Sequence, residues 1–393
     1  MSTIKIKTLT AVHIGSGETL HYGTDFLRGE HKGRSILSIV DLKKVMELIK
    51  PEHVQDWVTC IEDGESTDVV VQRYKPDATM ADYSKRMISD CANDKESDSL
   101  KTQIHDGFGR PYIPGSSIKG AIRTAILSFL VDELKEKKDI ENIIDKTYKD
   151  KKGKMHYKAD AKQIESELFG DNPKQDLFRF FRVGDAIFGE NDGVALNMVN
   201  INERKGGNYW DTEKSQLIEA IAPIKHTEFE LKMGFHDLTE LLKKLGQKGY
   251  KYPEYKAQRW PQCMGSIADL FDTINNHTQQ LLKAELEYWG EREHKDSKRK
   301  VTEYLNKIDE MLSETQQCKP GQECVLRIGQ GSGWRFITGA WTEDLENFDD
   351  LVVPISRHDS YKYIGYNFPK TRRVDDQCEL LGFVKLSIKE ETA

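Results

Sequence analysis

The sequence predicts an α+β fold built from two related modules, and three observations carry that expectation. Strand-like alternation runs into a Gly-rich turn twice, once at the N-terminus and once near residue 329, which points to an internal duplication. Between these two units, short alternating segments repeatedly give way to segments whose apolar residues recur every three or four positions, the switch from strand to helix period. The 393 residues are enough for two or three domains with ample core.

The first strand is read from Ile4 and Ile6, with lysines between them, through Leu9 to Val12; it runs into the turn His13-Ile14-Gly15-Ser16-Gly17. A second strand spans Ile36 to Val40. Asp41 then suits a helix N-cap, Leu42, Val45, Met46 and Ile49 share one helical stripe, and Pro51 stops the pattern. The polar stretch Ile61 to Thr102 is read as an insertion. Pro111, Pro114 and Gly115 forbid regular structure, after which Ile118, Ile122, Ala125, Ile126 and Phe129 form a stripe, so a helix is expected from about Ser117 with serine as its cap. The lysine-rich Lys135 to Lys162 reads as a solvated helix or a second insertion. A strand from Phe178 to Phe188 closes a first domain, residues 1–190. The second domain, 191–393, holds strands at Leu217 to Ile224 and Glu228 to Met233 and a helical insertion near 247–320, with helix from about Ile267 to Met311 broken near Gly290. The strand Cys324 to Ile328, the loop Gly329 to Trp334 and a last strand, Leu380 to Ile388, follow.

Composition narrows the function classes. The net charge is −7, so no global field attracts a polyanion and any nucleic-acid surface must be local. Six scattered cysteines without a C-x-x-C pair signal neither a disulfide framework nor a zinc ribbon, and a reducing cytosol is expected. The N-terminus lacks a signal peptide's apolar run, and no stretch approaches the ~20 apolar residues of a membrane span, so a cytoplasmic protein without a membrane partner is expected. No G-x-x-x-x-G-K-[ST] occurs, and Gly329-x-Gly331-x-Gly333 lacks the glycine spacing of a dinucleotide site; no cofactor or metal is expected.

Three segments do suit an anion. His13, Gly15, Ser16 and Gly17 form the first; Gly115, Ser116 and Ser117, with Lys119 and Arg123 on one helical face, the second; Gly329, Gly331, Ser332 and Gly333, followed by Arg335, the third. Glycine and serine leave backbone N–H groups open to close approach, and a helix N-terminus adds partial positive charge. Of the nearby aromatics Tyr22, Phe26, Phe108, Tyr112, Trp334 and Phe336, most should be core and some could stack bases.

In this order the three segments resemble the RAMP superfamily of CRISPR effector proteins, Tyr112 to Arg123 being the most specific match. Within it, the chain is similar over its length to the subunit that caps the crRNA 3′ end in the type III-A Csm effector complex; Asp25-Phe26 and the late loop up to Arg335 fit. The resemblance implies two ferredoxin-like (RRM-like) domains, contact with the crRNA backbone and adjoining subunits, and a part in crRNA 3′-end maturation through host ribonucleases, in antiviral defence. The segments 61–102, 135–162 and 247–320 match none of its motifs.

The alternative is a RAMP endoribonuclease. His13 and His21 flank the first loop as candidate general bases, and Asp25 is the counterpart of an aspartate that assists metal-dependent cleavage in the filament's backbone subunit. No partner base is visible, Asp25 stands far upstream of Pro114, and Asp185 reads as a structural acid. Binding without catalysis is therefore the expectation.

Overall fold

Ile4 and Ile6 point into the core from β1 (Ser2–Thr8), while Lys5 and Lys7 take the opposite face, as the period of two demands. The computed structural model describes residues 2–135, 145–149, 152–153, 155–160, 162–170, 176–202, 209–247, 263–293, 299–337, 340–344 and 371–389. β1 lies inside a five-stranded antiparallel sheet of order β10-β14-β1-β17-β15, with β10 at Phe181–Val183, β14 at His226–Met233, β15 at Glu323–Arg327 and β17 at Phe383–Ile388. Two helices cover one face, α4 (Gly115–Lys135) and α7 (Ile267–Glu293), through a core that joins Ile118, Ile122 and Ile126 to Leu270, Phe271 and Ile274. The chain order β1, α4, β10, β14, α7, β17 and the strand order are those of a ferredoxin-like unit.

A second, mixed sheet has the order β2-β6-β13-β12-β5-β4-β3, with β16 (Thr371–Asp375) also paired to β12. Its strands are β2 (Gly15–His21), β3 (Phe26–His31), β4 (Arg34–Val40), β5 (Ser84–Asp90), β6 (Ser99–Gln103), β12 (Gly193–Asn202) and β13 (Trp210–Ile221). α1 (Leu42–Ile49), α2 (Val54–Glu62) and α3 (Thr67–Tyr74) pack on β3 and β4 around Leu27, Val40, Val45 and Trp57. Asp41 caps α1, accepting from the Lys43 and Lys44 amides. α8 (Arg299–Gln316) folds back on α7, and Trp289 and Tyr304 fill the space toward β12, β15 and β16. Two short elements, β7 (Tyr112–Ile113) and β11 (Ala186–Ile187), pair with each other. α5 (Lys162–Phe169) and α6 (Phe235–Gln247) complete the helices among the described residues; none is long and apolar enough to cross a membrane.

Several expectations are corrected. The stretch 61–102 supplies β5 and β6, inner strands of the large sheet; their polarity misled because each is paired on both sides, which satisfies the backbone whatever the side chains. Gly15 to Gly17 begin a strand instead of a turn. Lys135 to Lys162 contains the hairpin β8 (Asp145–Lys149) and β9 (Met155–Asp160), the rest lying largely outside the described residues. The strand expected over Phe178 to Phe188 breaks at Gly184-Asp185, between β10 and β11. Both sheets draw strands from either side of residue 190.

Candidate nucleic-acid interface

The first and late Gly-rich segments, far apart in sequence, meet directly, and the chain just ahead of the middle one is tied to the same point. The Gln330 amide donates to the His13 carbonyl at 2.9 Å, tying the late loop to the first. Gly329 makes this possible: its φ is 81°, and a Cβ would meet the His13 carbonyl oxygen at 2.5 Å. Gln103 ties the middle segment to the same point, its side chain accepting from the Ile14 amide at 2.8 Å and donating to the Tyr112 carbonyl at 2.9 Å.

Beneath this junction lies Glu219, fully buried in β13. Its carboxylate takes a bidentate pair from Arg86 at 2.7 Å and the Gln103 amide at 3.1 Å, with His105 Nε2 at 3.5 Å. Its backbone carbonyl faces His13 Nδ1 at 2.5 Å. Nδ1 therefore carries the proton, and the buried Nε2 is an acceptor unsuited to a phosphate oxygen. Burial lowers the His13 pKa against the raising effect of the Glu219 carbonyl, so the ring is a neutral structural support. Glu219, Gln103 and Arg86 went unnoticed in the sequence; the available signal was an acid inside the apolar run Leu217 to Ile221.

Above the junction the backbone is open. β2 is one of the sheet's two edge strands, and Ser16, Gly17 and Glu18 bulge opposite the single residue Thr102. All three are exposed, Gly17 has a φ of 90° with nothing near it, and Ser16 Oγ bonds Thr102 Oγ1 and receives the Glu18 amide at 3.0 Å. In the late loop, Gly331 packs on Leu381, Ser332 is buried with its hydroxyl on the Gly329 carbonyl, and Gly333 faces open space. Arg327 lies under it, packed against the rings of Phe336 and Phe383 and donating to the Gly331 carbonyl at 3.2 Å. Burial lowers its pKa to about 10, so at neutral pH it stays charged and puts a cation beneath the loop.

The middle segment is more closed than its sequence suggests. α4 begins at Gly115, not Ser117, and the carboxylate of Asp185 receives the Gly115 amide at 2.7 Å. A Cβ on Gly115 would overlap the Val183 carbonyl oxygen. Ser116 is exposed and Ser117 half-buried. Lys119 and Arg123 do share a face, but it meets the chain at 176–178: Lys119 Nζ donates to the Phe178 carbonyl at 2.6 Å, and Arg123 pairs with Asp176 at 3.0 Å and Glu165 at 3.4 Å while stacking on Phe169. Arg335 is likewise spent inside the protein, on Glu285 at 2.8 Å and on Glu343.

Asp25 closes its own turn, accepting the His21 amide at 2.9 Å. Among the described residues no group of three or more His, Cys, Asp or Glu is arranged to hold a metal. Of the six aromatics, Phe26 and Phe336 are core, Tyr112 and Trp334 half-buried, and Tyr22 and Phe108 exposed.

The RAMP superfamily model matches residues 5–334, and the chain belongs to that superfamily. Two curated relatives, both called CRISPR system Cms protein Csm5, are similar to it. The one from Streptococcus thermophilus is 29% identical over 172 residues, 39% of this chain and 40% of that protein. The one from Methanocaldococcus jannaschii is 24% identical over 209 residues, 51% of this chain and 46% of that protein. The match thus spans less than half of each relative's length. Among solved structures, a chain of a Csm–crRNA–target RNA ternary complex of a type III-A CRISPR-Cas system superposes with a TM-score of 0.67 at 19% identity, covering 98% of this chain and 100% of that one. Csm5 of T. onnurineus superposes with a TM-score of 0.59 at 17% identity, covering 97% and 99%. At these identities the likeness is one of fold.

Proposed function

We propose that the chain is the crRNA-binding subunit that caps the filament at the crRNA 3′ end in a type III-A Csm interference complex, and that it assists crRNA 3′-end maturation in antiviral defence. The names of the curated relatives and the assembly that holds the superposed chain support this reading. On it, the partners are crRNA, the other Csm subunits and host ribonucleases recruited for trimming, and the compartment is the cytoplasm. The observation that carries it is the junction of the first and late Gly-rich loops, with the chain ahead of the middle one tied to it, exposed Gly and Ser backbone on it and a buried cation below. Such a surface grips phosphates without reading bases. The contacts are assigned to Gly15, Ser16, Gly17, Ser116, Ser117 and Gly333, while Lys119, Arg123 and Arg335 hold the protein together.

The test is a titration of the purified chain with labelled crRNA at several salt concentrations. Ser16→Glu puts a negative charge on the bulge; it should weaken binding about tenfold and flatten the log–log salt slope by about 0.7, one single-strand phosphate contact. Unchanged affinity and slope would move the interface elsewhere. The RNA should stay intact with magnesium or with EDTA. Cuts requiring magnesium would turn attention to Asp25, and cuts in EDTA to a histidine.

A further inference from the structure

We propose that the hairpin tip at Phe108 is a stacking platform for one base of the bound RNA, an inference that rests on the RNA-binding reading above. The tip spans Asp106 to Arg110, between the end of β6 and the start of β7. Gln103, where the Gly-rich segments are tied together, is five residues from Phe108 and therefore within about 18 Å of it.

Phe108 is 81% exposed, more than any other large apolar side chain among the described residues, and belongs to no core cluster. A scattered exposed apolar residue needs no explanation by itself. This one stands on an ordered turn. The Asp106 carboxylate receives the Phe108 amide at 3.0 Å, the Arg110 amide at 2.9 Å and Arg110 Nε at 2.8 Å. The Gly109 amide bonds the Asp106 carbonyl at 3.0 Å, and the Arg110 carbonyl accepts the Asp106 amide at 2.9 Å. The flanking Gly107 and Gly109 add no side chains beside the ring, and nothing lies within 4 Å of their Cβ positions. The backbone of the tip thus has little conformational entropy left to lose when a ligand meets it.

The chemistry points to a base. The Arg110 guanidinium lies 5.3 Å from the ring centroid on one side, leaving the other for a second π-system. A protein pocket that takes an aromatic anchor is usually met by an apolar surround, but Asp106, Gly107, Gly109 and Arg110 offer none. Every base has a π-face, so the platform should tolerate any sequence.

Phe108→Ala, Phe108→Leu and Phe108→Trp test this in the full chain with mixed-sequence single-stranded RNA, beside Ser16→Glu. The ring is outside the core, so thermal midpoints should match the parent. Alanine and leucine should each weaken binding about tenfold, tryptophan should preserve it, and the salt slope should not change because no phosphate contact is lost. Leucine is decisive: it keeps apolar bulk without a π-face, and parent-like binding by it would overturn the proposal. Loss of subunit assembly with RNA affinity intact would assign the ring to a protein neighbour and overturn it too. If Ser16→Glu weakens binding and Phe108→Ala does not, the platform falls while the loop interface stands. If even the parent fails to bind RNA, alone and in the reconstituted complex, the RNA reading falls and the platform with it.

Discussion

Arg335 and Arg123 follow or flank Gly-rich segments, where a phosphate partner is the natural expectation, yet each is neutralised by carboxylates brought from elsewhere in the chain. Glu285 takes Arg335 on one side and Arg372 at 2.7 Å on the other, with the Tyr304 hydroxyl at 2.8 Å, all buried. Burial pushes the Glu285 pKa up, but the two arginines outweigh it and hold the value below the ordinary 4.5. A depressed folded pKa contributes stability that is present in full above the ordinary value of 4.5 and is lost as pH falls from there through the folded value. Removing Arg335 strips Glu285 of one of its two arginines and leaves Glu343 without its partner. Arg335→Ala should therefore cost about 3–5 kcal/mol in urea unfolding at neutral pH, and the folded fraction should keep its RNA affinity. An affinity loss at full stability would restore Arg335 to the interface.

Helix α4 shows how one element carries two unlike glycines. Gly115 is pressed against the carbonyls of Val183 and Gly184, backbone that cannot yield, whereas Gly120 is exposed with nothing near its Cβ position. Gly115→Ala should destabilise by about 3 kcal/mol, and Gly120→Ala should stabilise by ~0.5–1 kcal/mol through helix propensity. Thermal unfolding of the two variants checks both signs. The body of this helix was legible: its apolar stripe from Ile118 and the prolines before it are local signals. Its cap was not, because Asp185 lies seventy residues downstream and only folding makes it a neighbour. The cap Asp41 and the span of α1 were legible, since cap, helical period and Pro51 lie within one short stretch. Of the expected stripe, only Val45 and Ile49 are buried, while Leu42 and Met46 face out.

At the scale of the whole molecule, the chain crosses repeatedly between its two sheets. β1 is hydrogen-bonded to β14 on one side and β17 on the other, so a cut at residue 190 strips it of both neighbours. Fragments 1–190 and 191–393, made separately, should lack a cooperative thermal transition by circular dichroism, and co-expression should restore it; two independent melts would mean two autonomous domains. The sequence by itself determined the α+β class, the alternation of β1, the helical stripes, the positions of the Gly-rich segments and, by resemblance, the superfamily, because each depends on residues close together in the chain. Only the tertiary structure decided that the first and late segments meet, that Glu219 lies beneath them, that Lys119, Arg123 and Arg335 are paired within the protein and that Phe108 faces out. Burial and charge pairing depend on which distant strands become neighbours, and no local pattern encodes that.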